Sequence, residues 1–213
     1  MAGLFITFEG TEGGGKSTQI ARLAERLQTT RRVVRVTREP GGTPIGEEIR
    51  HTLMHSGANR AMTAEAELLL INASRAQLVR EVIRPALAAG EIVLCDRFYD
   101  STVAYQGYGR GLDLAAVRRV IDVAVGATRP HRTFLLSVPI AVSEARRQSR
   151  GTQTGALRDR MEEAGRSFFE RVERGYQMIA ASEPDRVKVI DATASVEAVS
   201  AAIWSEVEKM VNA

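Results

Sequence analysis

Five short runs of β-favouring residues punctuate the chain: Leu4-Phe5-Ile6-Thr7-Phe8, Val33-Val34-Arg35-Val36-Thr37, Ile92-Val93-Leu94, Thr133-Phe134-Leu135-Leu136-Ser137 and Val187-Lys188-Val189-Ile190. Between them apolar residues recur at helical spacing. Ile20, Leu23, Ala24 and Leu27 mark a helix after the first run, and Phe168, Phe169, Val172 and Tyr176 mark one across 158–181. Ile203, Trp204 and Val207 mark a last one across 195–211. Further helices are expected over 44–55, 63–89, 112–125 and 141–148, with Pro85 tolerated as a kink. Residues 105–111, with three glycines, and the patternless polar stretch 149–155 read as loops.

Strands that alternate with helices imply an open parallel sheet with helices on both faces, because parallel neighbours need crossover connections. No repeat or linker divides the chain, so residues 1–213 are expected to form a single α/β domain. In such sheets ligands bind outside the carboxyl ends of the strands.

One of those ends carries Gly10-Thr11-Glu12-Gly13-Gly14-Gly15-Lys16-Ser17, followed by Thr18. This matches the phosphate-binding loop at every fixed position and lies between a strand and a helix, as the mechanism requires. The glycines let backbone N–H groups point at phosphate oxygens, and the helix start adds its unpaired N–H groups. Lys16 is then expected to bridge the β- and γ-phosphates of a nucleoside triphosphate, and Ser17 to ligate Mg²⁺. Asp96 and Arg97 leave a strand expected beside the first; Asp96 would hold the magnesium shell and Arg97 clamp a phosphate. Arg75, Arg38-Glu39 and Arg50 read individually as surface charges. Tyr105 and Gln106 offer base-edge hydrogen bonds.

Composition narrows the partners. Of 29 basic residues 26 are arginine, yet the net charge is only +3 and no run of five like charges occurs. A generic nucleic-acid coat is therefore not expected, and most arginines are consistent with base composition. Arg146, Arg147, Arg150, Arg158 and Arg160 crowd one segment, compatible both with a solvated loop and with a lid that closes over a transferring phosphoryl group. Cys95 stands alone in an apolar run, where a buried thiol in a reducing cytoplasm is expected. No stretch approaches 18 apolar residues, so no membrane partner is expected. His51 and His55, four apart, lack supporting metal ligands, and Trp204, Phe168 and Phe169 read as core.

Phe8-Glu9-Gly10 leading into the phosphate loop, Thr37-Arg38-Glu39-Pro40-Gly41-Gly42-Thr43, Arg75, Asp96-Arg97-Phe98, Ala104-Tyr105-Gln106-Gly107, Asp159-Arg160 and Ile190-Asp191-Ala192-Thr193 together resemble the bacterial thymidylate kinases. The resemblance implies a P-loop nucleoside monophosphate kinase fold, a five-stranded parallel sheet flanked by helices with an arginine-rich lid at about 146–160. It implies transfer of the ATP γ-phosphoryl group to dTMP, giving dTDP, with Mg²⁺, in a cytoplasmic homodimer. By position, Glu12 would meet the deoxyribose 3′-hydroxyl, and Arg75 and Arg97 would hold the acceptor phosphate and base. Arg38, Glu39, Pro40, Arg50 and Tyr105 would line the acceptor pocket, Thr102 and Gln106 would read the thymine edge, and Asp191-Ala192 would border adenine. Gly13 occupies the loop position that carries the catalytic arginine in one subgroup, which assigns that role to the lid, with Arg150 first. Ile71 stands where the family usually has a thymine-stacking phenylalanine. A deoxynucleoside kinase or another nucleoside monophosphate kinase is the nearest alternative; a GTP switch lacks its Asn-Lys-x-Asp signature.

Overall fold

The computed structural model describes residues 3–29, 32–154 and 165–211, without the side chains of residues 147, 148 and 150–154. Its strands are β1 (Leu4–Glu9), β2 (Val34–Arg38), β3 (Ile92–Asp96), β4 (Arg132–Ser137) and β5 (Val187–Asp191). All pair in parallel, in the order β2-β3-β1-β4-β5. The helices are α1 (Lys16–Gln28), α2 (Pro44–Met54), α3 (Ala64–Leu78), α4 (Arg84–Ala88), α5 (Tyr99–Thr102), α6 (Leu114–Val125), α7 (Ile140–Thr154), α8 (Arg166–Ser182) and α9 (Val196–Val211).

Period-two alternation in the central strands feeds two cores. Phe5, Val93, Cys95 and Leu135 face α3, α6 and α8, where they meet Leu78, Val117 and Val172. Ile6, Phe8, Leu94, Phe134 and Leu136 face the other way, onto Ile20, Leu23 and Leu27 of α1 and Ile203 and Val207 of α9. Burial on both faces explains why β1 is predominantly apolar and does not alternate. Of its two buried polar residues, Thr7 and Glu9, Thr7 shares a hydrogen bond of 2.7 Å with Thr133 Oγ1. The edge strands β2 and β5 leave Val36 and Val189 exposed and carry the charged Arg35 and Lys188. Helix starts are capped as their side chains dictate: Thr43 Oγ1 accepts from Gly46 N, Thr63 Oγ1 from Ala66 N and Asp113 Oδ2 from Ala116 N.

Four expected boundaries differ. The helix expected across 158–181 begins as α8 at Arg166, after an extended Gly165, with residues 158–164 outside the described ones. The single helix expected over 63–89 is α3, a π-helical turn at Val79–Ile83, and α4. Pro85 has no N–H to donate four residues back, and the widened turn ahead of it accommodates the break. The loop expected at 149–155 is helical as far as Thr154, continuing α7 without an apolar stripe. The loop expected at 105–111 is also largely helical: α5 runs directly into a π-helical turn, Val103–Gly109. Its glycines answer to packing. A Cβ on Gly109 would lie 2.7 Å from Phe168 Cε2, and one on Gly107 would lie 2.6 Å from Leu114 Cδ2. Among the described residues no helix is long and apolar enough to cross a membrane.

Candidate active site

The order β3-β1-β4 places three carboxyl ends side by side, and the register pairs Phe8 with Asp96. The phosphate-loop motif therefore emerges from β1 next to the Asp96-Arg97 exit of β3. Within the loop Gly10, Gly13 and Gly15 adopt φ of 125°, 78° and 86°, values that side chains rarely tolerate. Lys16 is folded back: its Nζ donates to the carbonyls of Gly10 and Thr11, both at 3.1 Å. Burial, reinforced by the charge of Arg97, lowers its pKa to about 8. Ser17 Oγ donates to Asp96 Oδ2 at 3.0 Å. A hydroxyl beside a carboxylate suits a hard cation that completes its shell with water and phosphate oxygens. No group of three or more His, Cys, Asp or Glu that could hold a metal unaided exists among the described residues.

Arg97 is the one residue other than glycine with a positive φ, 68°, among the described residues. Strain of this kind persists only where the surroundings over-determine it. Here Arg97 Nη1 donates to Gly10 O, Ser101 Oγ and Tyr176 Oη at 3.0, 3.2 and 3.3 Å, and the guanidinium lies 5.2 Å from the centre of the Tyr105 ring. Beneath it the buried carboxylate of Glu9 accepts from Phe98 N at 2.7 Å, Ser101 N at 3.3 Å, Ser101 Oγ at 2.6 Å and Tyr176 Oη at 3.0 Å. Burial first, and then the charge of Asp100, push the Glu9 pKa up to about 7, against the opposing pull of Ser101, Arg97 and the Phe98 N–H.

A cavity opens between α2, α3 and the α5 segment, walled by Pro40, Leu53, Met54, Ile71 and Phe98. Buried polar atoms without a protein partner converge on it: Glu39 Oε1, Thr102 Oγ1 and Tyr105 Oη. Orphaned buried atoms of this kind cost stability unless a ligand or water meets them. Glu39 also pairs with Arg75, Nη2 to Oε2 at 2.7 Å, and Arg75 donates further to Asn72 Oδ1 and Phe98 O. The cavity adjoins a larger cleft lined by Lys16, Ser17, Thr18, Arg38, Arg50 and Asp96. Glu12, Glu39, Met54 and Arg97 border both.

Most residues singled out in the sequence thus converge here. Arg75 and Glu39 are buried rather than surface charges, because each supplies the other's counter-charge. Arg50 is half-buried with Nη1 on Pro40 O, and Arg38 stays exposed, paired with Glu47. Asp191 turns onto its own loop, accepting from Thr193 N and Oγ1. Arg146, from the arginine-rich segment, spans Gly13 O and Ala192 O, while Ser143 Oγ donates to Glu12 O. A Cβ on Gly13 would lie 3.1 Å from Arg146 Cβ. The side chains of Arg147 and Arg150, and the whole of Arg158 and Arg160, lie outside the described residues. Sequence reasoning missed Glu67, Ser101 and Tyr176 and left Glu9 without a role. The recurrence of Glu67, Ile71 and Arg75 every four residues was a usable signal, since it puts all three on one helix face.

A folded-back loop lysine, a hydroxyl–carboxylate pair and a second pocket meeting at one arginine are the parts of a P-loop phosphotransferase. The family model described as thymidylate kinase matches residues 8–203. A thymidylate kinase of Desulforudis audaxviator is 48% identical over 213 residues, covering 100% of this chain and 93% of that protein. One of Geobacter sulfurreducens is 50% identical, covering 94% of each. The crystal structure of thymidylate kinase from Ehrlichia chaffeensis superposes with a TM-score of 0.72 at 34% identity, over 89% of this chain and 93% of that one. The chain belongs to the thymidylate kinase family.

Glu9 yields a pH prediction. Its pKa in the fold lies above the ordinary carboxyl value, so its contribution to stability is fullest in acid and is lost as pH rises from about 4.5 through about 7. Glu9→Gln has no such titration. Urea unfolding at pH 5 and pH 8 should therefore show the stability of the wild type falling relative to Glu9→Gln by about 1 kcal/mol or more as pH rises.

Proposed function

We propose that the whole chain acts as one kinase domain in which the larger, polar cleft takes ATP and the adjoining apolar-walled cavity takes dTMP, their phosphates meeting at Arg97. The chain is a dTMP kinase, transferring the γ-phosphoryl group of ATP to the 5′-phosphate of dTMP to give dTDP. The observation that carries the site assignment is the convergence of Glu39 Oε1, Thr102 Oγ1 and Tyr105 Oη on a cavity that abuts the phosphate loop.

The acceptor is a phosphate monoester that is mostly dianionic at neutral pH, so its attacking oxygen needs no general base. Catalysis is then positioning and charge neutralisation. The triphosphate replaces Gly10 O and Thr11 O as the partner of Lys16, and the N–H groups from Gly13 to Thr18 cradle it. Ser17 and Asp96 would hold Mg²⁺, which would supply neutralising charge to the phosphates. Arg97, fixed by Gly10, Ser101 and Tyr176, clamps the acceptor phosphate. Glu12 accepts the 3′-hydroxyl, and Arg75, Thr102 and Gln106 address the base. Arg38 and Arg50 line the approach, and Asp191 and Ala192 border adenine. Segment 146–160 is the lid, with Arg150 the arginine that meets the transferring group and excludes water on closure.

The homodimer is supported by Leu69 of α3 and Val123 of α6, 58% and 78% exposed on two helices that pack together. The buried free thiol of Cys95 suits the cytoplasm.

Coupled ADP release is expected with dTMP but not with thymidine or without acceptor, and Lys16→Met should lower turnover by roughly a hundredfold or more. Turnover of thymidine in preference to dTMP overturns the acceptor assignment. Ile71→Phe should lower the dTMP KM about fivefold, in line with a stacking gain of about 1 kcal/mol; an unchanged KM removes Ile71 from the base site. Sedimentation equilibrium should give a dimer that Leu69→Asp combined with Val123→Asp converts to monomer.

A further inference from the structure

Gln106 lines the acceptor cavity, and its amide has two unlike ends. The nitrogen donates and the oxygen accepts, so whichever end faces the ligand decides what ring edge fits. The structure ties the nitrogen down: Gln106 Nε2 donates to Glu67 Oε1 at 2.8 Å. Glu67 is fully buried in the first turn of α3, and both its oxygens also receive Arg110, Nε on Oε1 at 3.1 Å and Nη2 on Oε2 at 2.9 Å. Arg110 is itself fixed, with its guanidinium 4.8 Å from the centre of the Phe168 ring. Three N–H donors thus face one carboxylate, and an acceptor-only group cannot receive the amide oxygen of Gln106 in place of its nitrogen.

We infer that Glu67 is a positioning residue for acceptor specificity: it holds the Gln106 amide in the one sense that leaves its oxygen for the bound base. The inference rests on the reading that Gln106 addresses the base. A pyrimidine carrying a ring N–H, as thymine does at N3, satisfies that oxygen. Cytosine, whose N3 is a bare acceptor, sets lone pair against lone pair, and a buried polar mismatch of this kind is rejected strongly. The selectivity of the cavity therefore originates one residue behind its wall, in a carboxylate that does not touch the ligand.

The test compares kcat and KM for dTMP and dCMP in wild type, Glu67→Gln, Gln106→Ala and the double variant. An amide at 67 can donate to Gln106 and so lets it invert. Glu67→Gln should raise the dTMP KM about tenfold, change kcat by less than about threefold and reduce the preference for dTMP over dCMP about tenfold. In the Gln106→Ala background the same substitution should leave the preference unchanged, a result that a merely structural role for Glu67 does not produce. An unaltered preference in Glu67→Gln, or an equal loss in both backgrounds, overturns the inference. If Gln106→Ala keeps the wild-type KM and preference, the base-reading assignment of Gln106 falls and the inference falls with it. If Gln106→Ala loses the preference while Glu67→Gln keeps it, only the role of Glu67 falls. Should Glu67→Gln fail to fold by circular dichroism, Glu67→Asp keeps the charge and withdraws the oxygen by one methylene. It should raise the dTMP KM without admitting dCMP, and a wild-type KM in that variant overturns the inference.

Discussion

A buried charge must be matched, and that single constraint organises the site. Glu9, Glu39 and Glu67 are each buried, and each is met by N–H or O–H donors from other parts of the chain. Glu9 joins the end of β1 to the backbone of the β3 exit and to Tyr176 of α8. Glu39 joins the end of β2 to Arg75 of α3, and Glu67 joins the start of α3 to Gln106 and Arg110. Leaving any one of them unpaired would cost several kcal/mol, so the elements that line the cleft are held in one mutual arrangement. The same arrangement sets Glu39, Thr102 and Tyr105, each with an unpartnered polar atom, around the cavity.

Strand order then decides what meets what. Because β3 and not β2 lies beside β1, Asp96 falls within hydrogen-bonding reach of Ser17, although 79 positions separate them. Arg97 follows at once, and its left-handed backbone turns the guanidinium back over Gly10 instead of along the strand direction. The two pockets share Glu12 and Arg97, so it is the sheet order that makes them adjoin beside the phosphate loop.

The legible part of the fold was its short-range part. Five β runs, the helices between them and the glycine-rich loop each carry their signal within about a dozen residues, where periodicity and turn chemistry act. Errors fell where local signal and tertiary packing part company. Gly107 and Gly109 look like loop residues because nothing nearby in sequence shows that Leu114 and Phe168 will press against them. Residues 149–154 look like a loop because a helix needs backbone bonds, whereas an apolar stripe only reports what the helix packs against.

For the chemistry, the phosphate loop was determined by the sequence alone, since its function depends on backbone freedom at fixed spacing and on one lysine among three. The burial and partners of Glu9, Glu67, Arg75 and Tyr176 were decided only by the tertiary structure. Whether a charged side chain is a solvated surface residue or a buried anchor depends on partners far away in the chain, such as Glu9 and Tyr176 at 167 positions apart. Spacing along one helix can put Glu67, Ile71 and Arg75 on a common face, but only the packed core determines whether that face meets water or a cavity.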